Sequence, residues 1–480
     1  MISAAVSRSR FLAVLSTLVC SFLISGCLAE GKTEQSPQAS SVKAQESSVT
    51  TAPAPYPDIA MPTVRIQGSN TIGASLAPAL AKEFLASLGA NKVQQLSGNQ
   101  PNESRVTGIL PDNRSIQILI GAHGSSTGFR ALRDGTADIA AASRQITPEE
   151  VAQLAGLGDL TSVEGEHILG IDGLAIIVHP ANPLNKLSLE QLGQVFSGAI
   201  SDWTQLGGQP GPIEVLARDD NSGTYDTFKH LVLTGGTKLT GQAKRYESNE
   251  ELAQDVASKP NAIGFVALAS AGKVKVLGIS DGEAAALKPD QISVATEDYP
   301  LSRRLYFYSA TGPTNPMAKD FINFALGRHG QKMVEQEGFI SQVPSAHEVQ
   351  PAATDSENFI RLTQGAQRLS VNFRFRPESW ELDNKALRDV QRLAEFIQQT
   401  NLPPSRLMLI GFSEKRSDEL GAQILSEYRA RAVQKALGTY GIQIPAVTGY
   451  GHYRAVASHQ SLQAHLRNNR VEVWLTSPAP

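Results

Sequence analysis

At 480 residues the chain is too long for one hydrophobic core and implies two or three domains. Its 41% hydrophobic and 19% charged residues are the composition of a soluble globular protein. A net charge of −3 excludes a broad basic surface for nucleic acid, but not an anion site, because the local field decides that.

Residues 1–27 carry the marks of an export signal: Arg8 and Arg10, then an apolar run over 11–24 that closes on Ile24-Ser25-Gly26-Cys27. That ending resembles a bacterial lipobox. The resemblance implies lipidation at Cys27 and, because Leu28 rather than an aspartate follows, sorting to the periplasmic face of the outer membrane. No later apolar run reaches the roughly 18 residues a spanning helix needs, so the expected membrane contact is the lipid anchor alone. The only other cysteine, Cys20, lies inside the signal and leaves the mature chain no internal disulfide. Residues 28–62, rich in Ser, Gln, Ala, Thr and Pro, cannot bury a core and read as a disordered tether.

From residue 63 short apolar runs alternate with amphipathic stretches. The runs 64–67, 115–120, 139–142, 174–178, 213–217 and 263–266 predict strands. Segments near 73–88, 148–155, 188–196, 249–257 and 317–326 predict helices, and Ser248 with Glu251 has capping-box spacing. Such alternation argues for an α/β fold with mainly parallel sheets covered on both faces. A span of about 290 residues suits two lobes better than one sheet.

The predicted strand at 213–217 runs into Arg218-Asp219-Asp220-Asn221-Ser222-Gly223-Thr224, after which 224–233 reads as a helix. A helix starting there leaves its first N–H groups unpaired and presents the positive end of its dipole. Hydroxyls and a guanidinium stand beside those amides, which is the chemistry of an oxyanion site. Similar loops follow three other predicted strands: Gly68-Ser69-Asn70-Thr71-Ile72-Gly73, Gly124-Ser125-Ser126-Thr127-Gly128, and Ser143-Arg144. One such loop is ordinary turn and N-cap chemistry. Four at strand carboxyl ends, where α/β sheets bind ligands, point to a site.

Residues 63–346 resemble a periplasmic phosphate-binding protein of the PstS-like family. The runs that carry the likeness are Ala122-His123-Gly124-Ser125-Ser126-Thr127-Gly128-Phe129, Ala137-Asp138-Ile139-Ala140-Ala141-Ala142-Ser143-Arg144, 187–203, 218–228, Ala262-Ile263-Gly264-Phe265 and Tyr299-Pro300-Leu301-Ser302-Arg303. The resemblance implies a type II two-lobed binding protein, with lobe one over 63–172 and 288–346, lobe two over 173–287, and an anion in the cleft. By position it implies Thr71, Ile72 and Ser125 as donors from lobe one, and Arg218, Ser222, Gly223 and Thr224 from lobe two. Ser69, Ser126 and Thr127 are neighbours able to contribute. Ser143, followed by Arg144, stands where some family members carry a carboxylate; a serine imposes no like-charge penalty on sulfate. Asp138 and His123 read as structural loop groups.

Residues 347–367 lose the apolar pattern and read as a linker, with a second domain over 368–478. Strands are predicted at 370–373, 407–410 and 471–475. A helix over 383–399 is capped by Asp383 and carries Ala386, Leu387, Val390, Leu393, Ala394 and Ile397 on one face. A second over 420–437 carries Ile424, Leu425, Tyr428, Ala432 and Val433. Gly411-Phe412-Ser413-Glu414, then Leu425-Ser426-Glu427-Tyr428-Arg429-Ala430-Arg431, Gly449-Tyr450-Gly451 and Asn468-Asn469-Arg470 resemble the OmpA-like peptidoglycan-binding domain, an α/β sandwich. That family holds the diaminopimelate of the stem peptide between a carboxylate and a guanidinium, which implies Glu414 and Arg429 here. Glu414 is one methylene longer than the family's aspartate, Phe412 replaces its histidine, and an asparagine usual near Ala422 is missing.

No catalytic, cofactor or metal set emerges. Neither Ser222 nor Ser143 sits in a Gly-x-Ser-x-Gly elbow, the nine histidines lack His-Glu-x-x-His spacing, and the Ser-x-x-Lys match at Ser40 and Lys43 lies in the tether. The expected protein is a non-enzymatic envelope lipoprotein with phosphate and peptidoglycan as partners. The resemblance also implies delivery to an ABC permease, a role that a wall-tethered protein fits less easily than a diffusing one. The competing reading is a structural wall–membrane tether or adhesin whose binding lobes have lost their ligand.

Overall fold

The computed structural model describes residues 63–477, apart from 221, 313–314, 353–354, 378, 416 and 460–465. The predicted export signal, Cys27 and the tether lie outside the described residues. Among the described residues no helix is long and apolar enough to cross a membrane.

Strand Thr63–Gly68 lies parallel between Ser115–Ala122 and Ile139–Ala142. Beyond Ser115–Ala122 the strands Glu103–Ile109 and Asn91–Ser97 add an antiparallel edge. On the other side Ile139–Ala142 pairs antiparallel with Ser302–Tyr308, which pairs antiparallel with Glu166–Val178. That last strand changes partner along its length. Residues 166–173 pair with Ser302–Tyr308, and residues 174–178 with Ala262–Ala267, beyond which Glu214–Arg218 and Lys244–Tyr246 run parallel. One strand thus belongs to the sheets of both lobes, and its partner changes between Gly173 and Leu174.

Every residue of Glu166–Val178 is buried. Its apolar second half was legible as a strand; Glu166, His167, Gly170, Asp172 and Gly173 hid the first half. Both glycines serve close packing: a Cβ at Gly170 would lie 2.8 Å from Val334, and one at Gly173 3.0 Å from Val294. The sheets are mixed rather than mainly parallel, because Ser302–Tyr308 brings the chain back to lobe one and so runs against its neighbours.

The C-terminal sheet has the order Ala346–Glu348, Gln367–Arg374, Arg470–Leu475, Leu407–Gly411, Ala446–Gly449. Helices Asn384–Gln399 and Glu419–Gly438 pack on it, and the Asp383 carboxylate accepts from the Ala386 amide as the predicted cap. Two expectations need correction. The segment 347–367 is not an open linker: the sheet begins at Ala346, and helix Glu357–Thr363, capped by Ser356, buries Phe359 against Phe412 and Trp474. The second helix buries Ala422, Ser426, Arg429, Ala430, Val433 and Leu437, leaving Leu420, Ile424 and Tyr428 exposed. It rests on glycine: a Cβ at Gly411 would lie 1.9 Å from the Ser426 carbonyl oxygen, so only small side chains fit that face.

This sheet docks on the lobes through polar groups. The turn Thr296-Glu297-Asp298, with Glu297 at φ 59°, enters it. Asp298 accepts from Arg368 Nη2 at 2.7 Å, Arg374 Nη2 at 3.2 Å and Asn372 Nδ2 at 3.0 Å. Glu297 accepts from Arg304 Nε at 2.6 Å, and Arg304 Nη1 reaches Asp383 at 2.8 Å. Burial acts to raise Glu297, yet Arg304 and its cationic neighbours outweigh it and hold the carboxyl at about 2. On helix Asn384–Gln399, Asn384 Nδ2 donates to Glu166 Oε1 at 3.1 Å and Arg388 Nη2 to His167 Nδ1 at 3.0 Å.

Candidate functional site

Three turns at strand ends supply the candidate anion donors. Strand Thr63–Gly68 ends on Gly68 at φ 136°, where a Cβ would fall 2.0 Å from the Ala141 carbonyl oxygen, so only glycine lets the chain turn there. Ser69 follows, fully buried, with its amide on Ala141 O at 2.8 Å and its hydroxyl lacking a hydrogen-bond partner among the described residues. Ile72 then opens a helical turn that continues as Ala77–Ser87. Gly124, at φ 101°, turns the chain into helix Ser125–Arg133. The Ser125 hydroxyl accepts from the Ser143 amide at 3.1 Å and lies 3.4 Å from the Ser143 hydroxyl.

From lobe two, Ser222 caps helix Gly223–Leu231 by accepting from the Tyr225 amide at 3.3 Å. The Gly223 and Thr224 amides are then first-turn donors with no partner inside the helix. Gly223 approaches Thr71 so closely that a Cβ would sit 2.1 Å from Thr71 Oγ1. A helix start from each lobe therefore meets the other across the cleft.

Arg303 lies between them, and sequence reasoning missed it as a site residue. Its Nη2 donates to Thr71 Oγ1 at 2.6 Å and to the Gly223 carbonyl at 2.8 Å, and its Nη1 faces the Ser143 carbonyl at 3.4 Å. Nε pairs with Asp172 at 3.3 Å, and Asp172 also faces Thr227 Oγ1 at 3.5 Å. Burial pushes Asp172 up and Arg303 down, each opposed by the other's charge. The available signal was the run Tyr299-Pro300-Leu301-Ser302-Arg303, whose basic pair opens a strand.

Arg218 stands farther out. Its Nη2 donates to Glu247 O at 2.8 Å and its Nε to Tyr246 O at 3.3 Å, and burial lowers its pKa against the pull of Asp219. With Asn70, Asn102, Ser222 and Gly223 it lines a cavity of about 590 Å3. Arg144 and Ser126 are not brought into the Thr71–Gly223 group. Arg144 is bidentate to Glu150 at 2.8 Å, donates to Ser126 Oγ at 2.9 Å, and lies over the Phe129 ring. Glu150, in the first turn of the next helix, captures it. Asp138 is bonded to Arg65 at 2.8 Å and His123 lies 3.5 Å from Glu103, both structural contacts.

In the C-terminal domain Arg429 Nη2 lies 3.9 Å from Glu414 Oε2, and the guanidinium sits over the Phe375 ring at 5.5 Å. The Glu414 amide donates to Asn469 Oδ1 at 2.8 Å. Phe412 is buried with the Arg470 guanidinium carbon 4.0 Å from its ring centre, and its phenyl ring has no donor to offer in place of a histidine. Among the described residues no group of three or more His, Cys, Asp or Glu is placed to hold a metal ion.

A model of the PBP superfamily domain matches residues 104–329, and a model of the OmpA family matches residues 374–469. The phosphate-binding protein PstS of Pseudomonas aeruginosa is 30% identical over 246 residues, covering 47% of this chain and 74% of the relative. The chain belongs to the PstS family. PstS of Bacillus subtilis is 28% identical over 234 residues, covering 48% of this chain and 73% of its own. Protein SphX of Synechococcus elongatus is 30% identical over 241 residues, covering 48% and 70%. A solved ABC-type phosphate transport receptor from Vibrio cholerae superposes with a TM-score of 0.46 at 26% identity, covering 58% of this chain and 99% of that one. These PstS relatives each match less than about half of the present chain, and the OmpA match accounts for most of the C-terminal domain.

Proposed function

We propose that the two lobes bind inorganic phosphate, or a related oxyanion, and that the C-terminal domain holds peptidoglycan between Glu414 and Arg429. The observation that carries the first half is the meeting of Thr71 with Gly223, a helix start from each lobe with Arg303 between them. In this reading Ser69, Thr71, Ser125, Ser143 and Ser222 offer hydroxyls, and Ile72, Gly223 and Thr224 offer amides. Arg303 supplies the central positive charge and Arg218 the outer one. Several charge-assisted bonds of about 1.5–3 kcal/mol each offset dehydration of a dianion and bring micromolar affinity, about −8 kcal/mol, within reach.

Lipidation at Cys27 would place the protein on the periplasmic face of the outer membrane, with an ABC permease as the recipient of its ligand. Calorimetry with phosphate, sulfate, arsenate and molybdate on the purified chain tests the oxyanion reading. Phosphate binding at micromolar affinity is expected; heat changes absent for all four would refute it and favour a purely structural tether.

A further inference from the structure

The C-terminal domain and both lobes together line a second, partly open cavity of about 610 Å3. Ser143 and Arg144 line it from lobe one, His230 from lobe two, and Arg376 and Arg467 from the C-terminal domain. Arg303, whose Nη2 bonds Thr71 and Gly223, lines it too. The volume is that of a small-molecule pocket and far larger than one phosphate.

The carboxylates on its wall are already engaged. Glu297 and Asp383 pair with Arg304, Glu166 accepts from Tyr308 and Asn384, and Asp281 pairs with Arg467 at 3.3 Å. Arg376 is exposed, with Asn384 Oδ1 at 3.3 Å. Burial and the neighbouring Arg374 push Arg467 down to about 10, and burial with Arg303 and Arg144 lowers His230. The arginines on the wall outnumber its carboxylates, which favours an anion there.

Resting on the oxyanion reading of the cleft, we propose that this cavity extends the cleft's anion site so that it takes a compound with two linked phosphoryl groups, inorganic diphosphate being the simplest. One phosphoryl group sits beside Ser143 and Arg303, the other against Arg376 and Arg467. Donors from lobe one and from the C-terminal domain line one cavity whose volume exceeds that of a single phosphate.

Titration calorimetry on the full chain, with phosphate, diphosphate and sulfate, tests this in wild type, Arg376→Ala and Arg376→Glu. The exposed position makes both variants fold-tolerant, and thermal melts verify it. The wild type is expected to bind diphosphate, and the ratio of diphosphate to phosphate affinity to fall at least tenfold in Arg376→Glu, less in Arg376→Ala. An unchanged ratio in both variants overturns the extended site, as does phosphate binding without diphosphate binding; in either case the cleft reading stands. Binding of neither anion removes the cleft reading itself.

Discussion

Arg303 and Arg304 are neighbours on one strand and live in opposite worlds. Arg303 meets mostly neutral acceptors, a hydroxyl and two carbonyls, with one carboxylate at 3.3 Å. Arg304 is clasped by two carboxylates, Glu297 and Asp383, at 2.6 and 2.8 Å. Alternation along the strand sends the first into the interlobe cleft and the second toward the C-terminal domain. A guanidinium saturated by carboxylates is structural, while one held by neutral oxygens keeps charge available for an anion. The same contrast separates Arg303 from Arg144, which Glu150 satisfies.

The sharpest way to break that contrast is to empty the structural side. Asp298→Ala leaves Arg368 and Arg374 buried without their shared carboxylate and is expected to cost about 3–5 kcal/mol, read as a fall in the denaturant midpoint. Unchanged stability would mean the ionic contacts do not hold the domains together. Next, Arg303→Gln is expected to weaken phosphate binding by at least about tenfold to a hundredfold, as loss of a buried charged donor does. Equal affinity in calorimetry would move the anion site elsewhere.

Acid offers a third probe. His167 is buried neutral; burial, then the Arg388 charge, pushes its pKa down to about 3. The unfolded chain therefore takes up the proton first, and stability is full above about 6.5 and declines as pH falls toward 3. Glu297, held at about 2, adds a further loss below about 4 as it protonates. His167→Gln is expected to flatten the upper part of this profile in melts between pH 7 and 4; an identical slope would mean the histidine titrates elsewhere. The smallest effects belong to the pair of half-buried Glu414 and buried Arg429. Glu414→Ala and Arg429→Ala are each expected to cut retention on purified sacculi several-fold, with a stability change below about 1 kcal/mol for Glu414, whose partner lies 3.9 Å away. Equal retention of wild type and both variants ends the peptidoglycan reading.

Sequence periodicity located six strands of the lobes and the Asp383 cap, because those features are local, but missed Asn91–Ser97, Glu103–Ile109 and Ser302–Tyr308. It failed where a second domain replaces solvent. On helix Asn384–Gln399 the expected apolar face is buried except for Leu387, but Lys385 and Asp389, on the polar side, are buried as well. A pattern that equates polar with wet cannot see such a face. The 347–367 segment was lost for a related reason: one phenylalanine, Phe359, anchors it, and a single residue has no period. Arg303 was hidden because nothing local separates it from Arg304; only the pleat and the partners across the sheet do.

Helix Asn384–Gln399 touches the lobes at Glu166 and His167, the opening residues of the strand they share. Force applied to the C-terminal domain therefore enters at one end of the element about which the lobes would turn. If the lobes turn about that strand to release the proposed anion, a pull on the C-terminal domain would bear on the release.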